Sequence, residues 1–178
     1  MHLVKIKTKI KKFNKVISIE GDKSLSIRWA LIASQSEYKS KSENLLLSED
    51  VINTLKCLKK LGVKSKISKK ICEIKGVGLN GFKYKKNLIL NAGNSGTLGR
   101  LIMGLLTHTE FAIQLKGDKS LSKRDFLRII KPLKKFGADF KSNLGKLPIT
   151  IRGANNPNPI FYNETKGSAP VSYTHLRA

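Results

Sequence analysis

The sequence predicts an α/β protein built from a repeated β-α-β-α-β-β unit, and two observations support this fold class. Short segments with the alternating or apolar pattern of strands recur between amphipathic segments typical of helices. The segment 58–62, Leu-Lys-Lys-Leu-Gly, also returns 75 positions later at 133–137 as Leu-Lys-Lys-Phe-Gly. Recurrence of both the pattern and the peptide indicates two copies of one structural unit.

The first copy is predicted to end at residue 75. Ser48 is a good N-cap for its second helix, because a Ser hydroxyl accepts a hydrogen bond from a free backbone N–H and acidic residues follow in the first turn. Gly62 is expected to end the same helix. The predicted strands are residues 15–19, 45–47, 63–67 and 71–75, and the predicted helices are residues 25–36 and 48–61.

The second copy repeats this order of elements between residues 88 and 151. A third copy begins with a strand at 160–162 and a Lys-Gly-Ser turn at 166–168, and the chain stops before that copy is complete. We therefore expect a truncated chain whose unfinished domain is marginally stable. The predicted strands of the second copy are residues 88–90, 111–115, 138–141 and 147–151, and its helices are residues 97–107 and 125–136.

The composition indicates a protein with a core of its own. The chain has 178 residues, of which 40% are hydrophobic, and no apolar run approaches the roughly 20 residues of a membrane helix. The N-terminus lacks the apolar stretch of a signal peptide, so we expect a cytoplasmic protein without a membrane partner. Cys57 and Cys72 have no Cys or His neighbour at metal-ligand spacing and are expected to be small buried hydrophobes.

The formal net charge of +23 raises the question of nucleic-acid binding. The lysines are spread along the whole chain, without a basic tail, a basic stripe interleaved with aromatic residues, or a zinc-finger pattern. These features argue against a nucleic-acid partner, although a basic anion- or nucleic-acid-binding module remains an alternative. Only six of the 35 basic residues are arginines, and four of them lie in or just after three glycine-containing turns: Arg28, Arg100, Arg124 and Arg128.

Each of these three turns lies just before a predicted helix. The segments are 21–28 (Gly-Asp-Lys-Ser-Leu-Ser-Ile-Arg), 91–100 (Asn-Ala-Gly-Asn-Ser-Gly-Thr-Leu-Gly-Arg) and 117–128 (Gly-Asp-Lys-Ser-Leu-Ser-Lys-Arg-Asp-Phe-Leu-Arg). Helix N-termini present free N–H groups to anions, and an arginine fork binds carboxylate or phosphate through two bonds. Ser24 is predicted to cap the first helix, with Arg28 on the same face. For each turn alone, an ordinary capped helix explains the pattern equally well.

In this order and spacing, the three segments resemble the EPSP synthase (3-phosphoshikimate 1-carboxyvinyltransferase) family. The family's segments read Pro-Gly-Asp-Lys-Ser-x-Ser-x-Arg, Gly-Asn-(Ala/Ser)-Gly-Thr-x-x-Arg and Gly-Asp-x-Ser-Leu-x-x-Arg-Pro-Met-x-Arg. The resemblance implies the enolpyruvyl transferase fold, with two similar domains of three β-α-β-α-β-β units each. Residues 1–20 would then belong to the second domain, residues 21–169 to an incomplete first domain, and residues 170–178 to a tail outside the family pattern.

The resemblance also implies a reaction, the transfer of the enolpyruvyl group of phosphoenolpyruvate to the 5-hydroxyl of shikimate 3-phosphate. No metal or cofactor is implied, and a monomer is expected at full length. The catalytic residues are unknown because the family's acidic proton acceptor lies beyond this chain, which we therefore expect to be inactive alone. Shikimate 3-phosphate is assigned to Lys23, Ser24, Arg28, Ser168 and Ala169, and phosphoenolpyruvate to Lys23, Asn94, Gly96 and Arg124.

The chain departs from the family pattern at several positions. Glu20 and Asp125 replace prolines, and Pro170 stands where the family has a glutamine that binds substrate. The related UDP-GlcNAc enolpyruvyl transferases are the nearest alternative. They have Lys-Asn where this chain has Lys-Ser at 23–24, and a cysteine-bearing loop where it has Lys-Ser at 119–120.

Overall fold

The computed structural model of the chain describes residues 5, 12, 14 and 16–163. The predicted site residues Ser168 and Ala169 and the segment 170–178 lie outside the described residues. Within them, short 3₁₀ turns occupy Leu106–His108 and Leu121–Lys123. The helices are α1 (Lys23–Ser34), α2 (Glu49–Lys60), α3 (Gly96–Leu105) and α4 (Leu127–Lys135), and the strands are β1 (Lys39–Ser42), β2 (Lys64–Ser68), β3 (Ile71–Lys75), β4 (Leu88–Asn91), β5 (Ile113–Lys116), β6 (Asp139–Asn143) and β7 (Lys146–Arg152).

The sheet topology confirms that the chain contains a repeated unit. Strands β1, β3 and β2 form one antiparallel sheet in that order. In the second sheet, β5, β7 and β6 have the same order and the same antiparallel pairing. The second sheet has one further strand, β4, which pairs parallel to β5 across helix α3. The antiparallel first sheet, the mixed second sheet and the helices together establish the predicted α/β class.

The prediction of a strand at residues 15–19 is wrong for its described part, residues 16–19, which have no regular secondary structure. In the second sheet the corresponding place is filled by β4. The side chains of Val16, Ile17 and Ile19 are largely exposed. An alternating pattern produces a strand only where a neighbouring strand accepts its backbone hydrogen bonds. The predicted strand at 160–162 is absent for the same reason, and the Phe161 side chain there is exposed.

The strand predicted at residues 45–47 is also wrong, because the first sheet uses the preceding segment, β1. The sequence of β1 is Lys-Ser-Lys-Ser, which lacks the β-branched and aromatic residues typical of strands. Pairing with β3 overrides this weak propensity. Asn44 then adopts a positive φ of 55° and turns the chain away. Leu45 is buried in the core from a loop rather than from a strand.

The helices of the first copy follow the predicted signals with two corrections. Helix α2 has Ser48 at its N-cap position, acidic residues in its first turn and lysines in its last turn, an order that complements the helix dipole. The Ser48 hydroxyl does not make the predicted cap hydrogen bond, however, and it is buried without a partner among the described residues. Gly62 ends it with a φ of +90°. Helix α1, however, is capped by Asp22 rather than by Ser24. The Asp22 carboxylate accepts a hydrogen bond from the N–H of Leu25 at 2.7 Å. Asp22 directly precedes the first helical residue, so its carboxylate reaches the free N–H groups of the first turn, whereas Ser24 already lies inside the helix.

One continuous hydrophobic core joins the two copies. Its largest fully buried side chains come from both, with Ile27 and Leu58 in the first and Ile102 and Phe126 in the second. Helix α1 packs on both α2 and α3, so the copies do not form separate domains. Cys57 and Cys72 are both buried in this core, as predicted. No helix within the described part of the chain is long and apolar enough to span a membrane.

The repeat provides a matched test of packing. Leu58 and Leu133 occupy corresponding positions, but Leu58 is 1% exposed and Leu133 is only partly buried. Leu58→Ala should lower the free energy of unfolding by about 2–5 kcal/mol, since a cavity remains in a rigid core. Leu133→Ala should lower the free energy of unfolding by a clearly smaller amount. Urea denaturation followed by circular dichroism measures both values, and equal losses would contradict this account of the core.

The two thiols should be unreactive in the folded chain. Burial raises the pKa of Cys57 and of Cys72, so less of each thiol is ionised near pH 8, and thiolate is the form that attacks a disulfide reagent. We expect both cysteines to react with Ellman's reagent far more slowly in buffer than in concentrated urea. A native reaction as fast as that of the unfolded chain would show that the core opens readily.

Candidate functional site

The loop between β4 and α3 is shaped by short local hydrogen bonds. Ser95 caps α3, and its hydroxyl accepts a hydrogen bond from the N–H of Leu98 at 3.2 Å. Asn91 accepts from the N–H of Gly93 at 2.9 Å through its side-chain oxygen. Gly93 itself has a φ of +57°, a conformation that favours glycine. The loop therefore leads directly from the end of strand β4 to the N-terminus of α3.

Gly96, the first residue of α3, lies against two guanidinium groups. A Cβ atom placed on Gly96 would be 2.8 Å from Nη1 of Arg100 and 2.9 Å from Nη1 of Arg124. Arg100 also donates to the carbonyl oxygens of Gly96 and Asp125, at 3.4 and 3.5 Å, and lies over the ring of Phe126 at 5.2 Å. The absence of a side chain at Gly96 thus lets two guanidinium groups approach the N-terminus of α3 closely.

The electrostatics of this corner favour an anion. Burial lowers the pKa of Arg100, and the neighbouring positive charges of Arg124 and then Arg128 lower it further, against a smaller opposing effect of Asp125. Guanidinium groups remain charged at physiological pH. Three of them close enough to repel one another, with one carboxylate among them, form a region of strong positive potential. A phosphate or carboxylate would relieve this repulsion.

The third turn is joined to this loop by Asp118. Its backbone N–H donates to the carbonyl oxygen of Gly93 at 2.8 Å. One oxygen of its carboxylate accepts from the N–H of Leu121 at 2.6 Å, and the other accepts from the side-chain amide of Asn94 at 2.8 Å. The second and third turns are therefore fixed to each other, and Arg124 is brought beside Gly96.

The first turn contributes Lys23, Ser24 and Arg28 from the start of α1. The ammonium of Lys23 forms an ion pair of 3.0 Å with Asp50 of α2. Ser24 is partly buried, and because Asp22 is the cap, its hydroxyl is not needed to end the helix. Nε of Arg28 is buried and has no hydrogen-bond partner in the described part of the chain. A buried donor of this kind calls for an acceptor, which a ligand, a water molecule or another part of the protein would supply.

Helix α2 connects the first turn to the second, a role that the sequence analysis did not identify. Asp50 holds Lys23, and a Cβ on Gly93 would be 2.5 Å from the amide nitrogen of Asn53. One turn further on, the thiol of Cys57 donates to the carbonyl oxygen of Asn91 at 3.3 Å. Spacings of three and four residues place these side chains on one helical face. In the sequence, this spacing was the only signal that could have identified the role of α2.

The structure thus brings together elements of all three predicted turns, with the Asn94, Gly96 and Arg124 positions in one connected group. Their roles toward substrates stay predictions. Within residues 16–163, no three His, Cys, Asp or Glu side chains are grouped as a metal site would require.

Comparison with known proteins identifies what this arrangement is similar to. The family profile of EPSP synthase (3-phosphoshikimate 1-carboxyvinyltransferase) matches residues 7–178. A 3-phosphoshikimate 1-carboxyvinyltransferase of Ruthia magnifica subsp. Calyptogena magnifica is 43% identical over 91% of this chain and 37% of its own length. Another, of Thermoanaerobacter sp. (strain X514), is 40% identical over 97% of this chain and 41% of its own length.

Solved structures agree with these sequence relatives. An EPSP synthase from Acinetobacter baumannii superposes with a TM-score of 0.79 at 35% identity, over 86% of this chain and 35% of that one. A second structure of EPSP synthase from the same species gives a TM-score of 0.78 at 33% identity. The chain spans about two-fifths of the length of the curated relatives it matches. With the profile matched over nearly its whole length and the site turns in place, the chain belongs to the EPSP synthase family.

Proposed function

We propose that this chain supplies part of the site in which the enolpyruvyl group of phosphoenolpyruvate is transferred to the 5-hydroxyl of shikimate 3-phosphate, giving 5-enolpyruvylshikimate 3-phosphate and phosphate. The observation that carries this proposal is the cationic corner at Gly96, where a helix N-terminus meets Arg100 and Arg124. Both substrates are polyanions, and a site that holds them side by side must offset their mutual repulsion.

Shikimate 3-phosphate is assigned to the first turn. Arg28 has a buried Nε without a partner, and a carboxylate would accept from it and from a terminal nitrogen as a pair of parallel bonds. The hydroxyl of Ser24 and the ammonium of Lys23 lie one turn earlier on α1. Ser168 and Ala169, which match the family's phosphate-binding segment, complete this assignment.

Phosphoenolpyruvate is assigned to the second and third turns. At Gly96 the N-terminus of α3 lies against the guanidinium groups of Arg100 and Arg124, and a small anion would bind to these donors together. Asn94 contributes mainly through Asp118, which its amide already contacts. Lys23 would then reach both substrates. These cations would favour the transfer by stabilising negative charge that shifts onto the departing phosphate after the hydroxyl has added.

The chain alone is proposed to bind these anions without turning them over. It spans about two-fifths of its curated relatives, and no acid or base for the proton transfers is assigned within it. We further propose a monomeric, cytoplasmic protein at the relatives' length. Phosphate esters such as these substrates carry charges that are costly to move through a bilayer, so an enzyme acting on them works in the compartment that contains them.

Two identical tetrapeptides provide a matched test of the first assignment. Gly-Asp-Lys-Ser occurs at 21–24 and again at 117–120, but only Lys23 lies at the N-terminus of a full helix. Lys23→Met should weaken shikimate 3-phosphate binding about tenfold, the loss typical of a charge-assisted contact. Lys119→Met should change it little. The fluorescence of Trp29, the single tryptophan, next to Arg28, reports the titration, and equal effects of the two substitutions would contradict the assignment.

Gly96→Ala provides a test of the phosphoenolpyruvate assignment. The added methyl group would displace the ends of the Arg100 and Arg124 side chains, which are flexible, so folding should be little affected while phosphoenolpyruvate affinity falls about tenfold. Gly99→Ala is the control, because its methyl group would press on the buried ring of Phe126 at 3.3 Å. It should lower the melting temperature and leave affinity nearly unchanged. The reverse pattern would place the anion elsewhere.

A further inference from the structure

We propose that Asp50 is a positioning residue of the site: its carboxylate holds the ammonium of Lys23 in place before substrate arrives. This inference rests on the proposed function in one respect, the assignment of Lys23 to the substrates. The contact itself, an ion pair of 3.0 Å between the two side chains, is a feature of the folded chain.

The exposure of the two partners differs in a way that suits this role. The Asp50 side chain is 18% exposed and that of Lys23 is 51% exposed. Asp50 is therefore packed against the protein and held in place, whereas Lys23 is more exposed and is the partner that can move. A lysine side chain loses rotamer freedom when it is immobilised, and the free-energy cost of this loss would otherwise fall on substrate binding. A carboxylate that orders the chain in advance removes part of that cost.

Asp50 also offsets the positive end of the α2 dipole, near which Lys23 lies. It lies in the first turn of α2, where the helix presents the positive end of its dipole. An ammonium facing that end without a carboxylate would be repelled toward solvent. The carboxylate is itself favoured at that position by the same dipole.

The rest of α2 fixes Asp50 with respect to the second turn. Asn53 packs on Gly93, and the thiol of Cys57 donates to Asn91. These contacts lie on the same helical face as Asp50. The helix therefore acts as a rigid spacer between Lys23 and the loop that contains Gly96. A substrate-binding cation on α1 is thereby placed at a defined separation from the cations at α3.

The neighbouring acid, Glu49, provides a matched control. It belongs to the same first turn of α2 and carries the same charge, but it is exposed and has no ion pair among the described residues. Glu49→Gln and Asp50→Asn each remove one negative charge from the same helix end. Only Asp50→Asn removes the contact to Lys23, so a difference between the two variants isolates positioning from a general effect on the helix dipole.

The first measurement does not depend on any substrate. The chain is labelled with ¹³C at lysine Cε, the Lys23 signal is assigned from its loss in Lys23→Met, and methylene order is measured by relaxation. We expect Lys23 to be more ordered than the exposed Lys119 in the wild type and in Glu49→Gln. In Asp50→Asn its order should fall to that of Lys119. An unchanged order in Asp50→Asn would overturn the proposal.

The second measurement connects position to function through a double-mutant cycle. Asp50→Asn should weaken shikimate 3-phosphate binding about fivefold, the range expected for a partly shielded ion pair that orders a long side chain. In the Lys23→Met background the same change should have less than about a twofold effect, because Asp50 acts through Lys23. An equal loss in both backgrounds would overturn positioning and indicate a structural role.

The outcomes separate the two proposals. If the wild-type chain does not bind shikimate 3-phosphate, the assignment of the first turn fails, while the order of Lys23 still decides whether Asp50 positions it. Circular dichroism checks folding. If Asp50→Asn unfolds the chain and Lys23→Met does not, Asp50 stabilises the fold by some other contact and the proposal is wrong.

Discussion

The contacts of Asp118 are the constraint on which the candidate site depends. Through its backbone N–H and both carboxylate oxygens, this residue joins the loop at Gly93 and Asn94 to the turn that leads to Arg124. Without that connection, the second and third turns would be two separate caps on two helices. With it, guanidinium groups that are distant in the sequence lie beside the same glycine, and the fold maintains their mutual repulsion.

The two copies of the repeat show how one local signal supports two different structures. Asp22 accepts from the N–H of Leu25, and Asp118 accepts from that of Leu121, so both Gly-Asp-Lys-Ser turns make the same cap. The first cap opens the twelve residues of α1, whereas the second opens a single 3₁₀ turn. The second chain segment then bends to place Arg124 near Gly96. The two copies thus differ in how they position side chains: the first presents them from a helix and the second from a loop.

The hydrophobic core and the candidate site share packed side chains and helices. Phe126 is fully buried between the core and the site, where Gly99 lies against its ring and Arg100 lies over it. Helix α2 likewise buries Leu58 on one side and presents Asp50 on another. Because the interior is close-packed, such side chains transmit the positions of the helices to the charged groups at their ends. The site's geometry is consequently set by residues that no substrate would touch.

The sequence by itself determined the repeat, most of the helices and the three glycine-containing turns, since these depend on local periodicity, capping residues and the placement of glycines. It also indicated Arg28, Gly96 and Arg124 as members of one site, through the resemblance of their segments to a known family. The tertiary structure alone decided that β1 is a Lys-Ser segment, that Asp22 rather than Ser24 caps α1, and that Asp50 faces Lys23. Strand pairing and contacts between helices join residues far apart in the chain, and their energies depend on neighbours that local sequence does not specify.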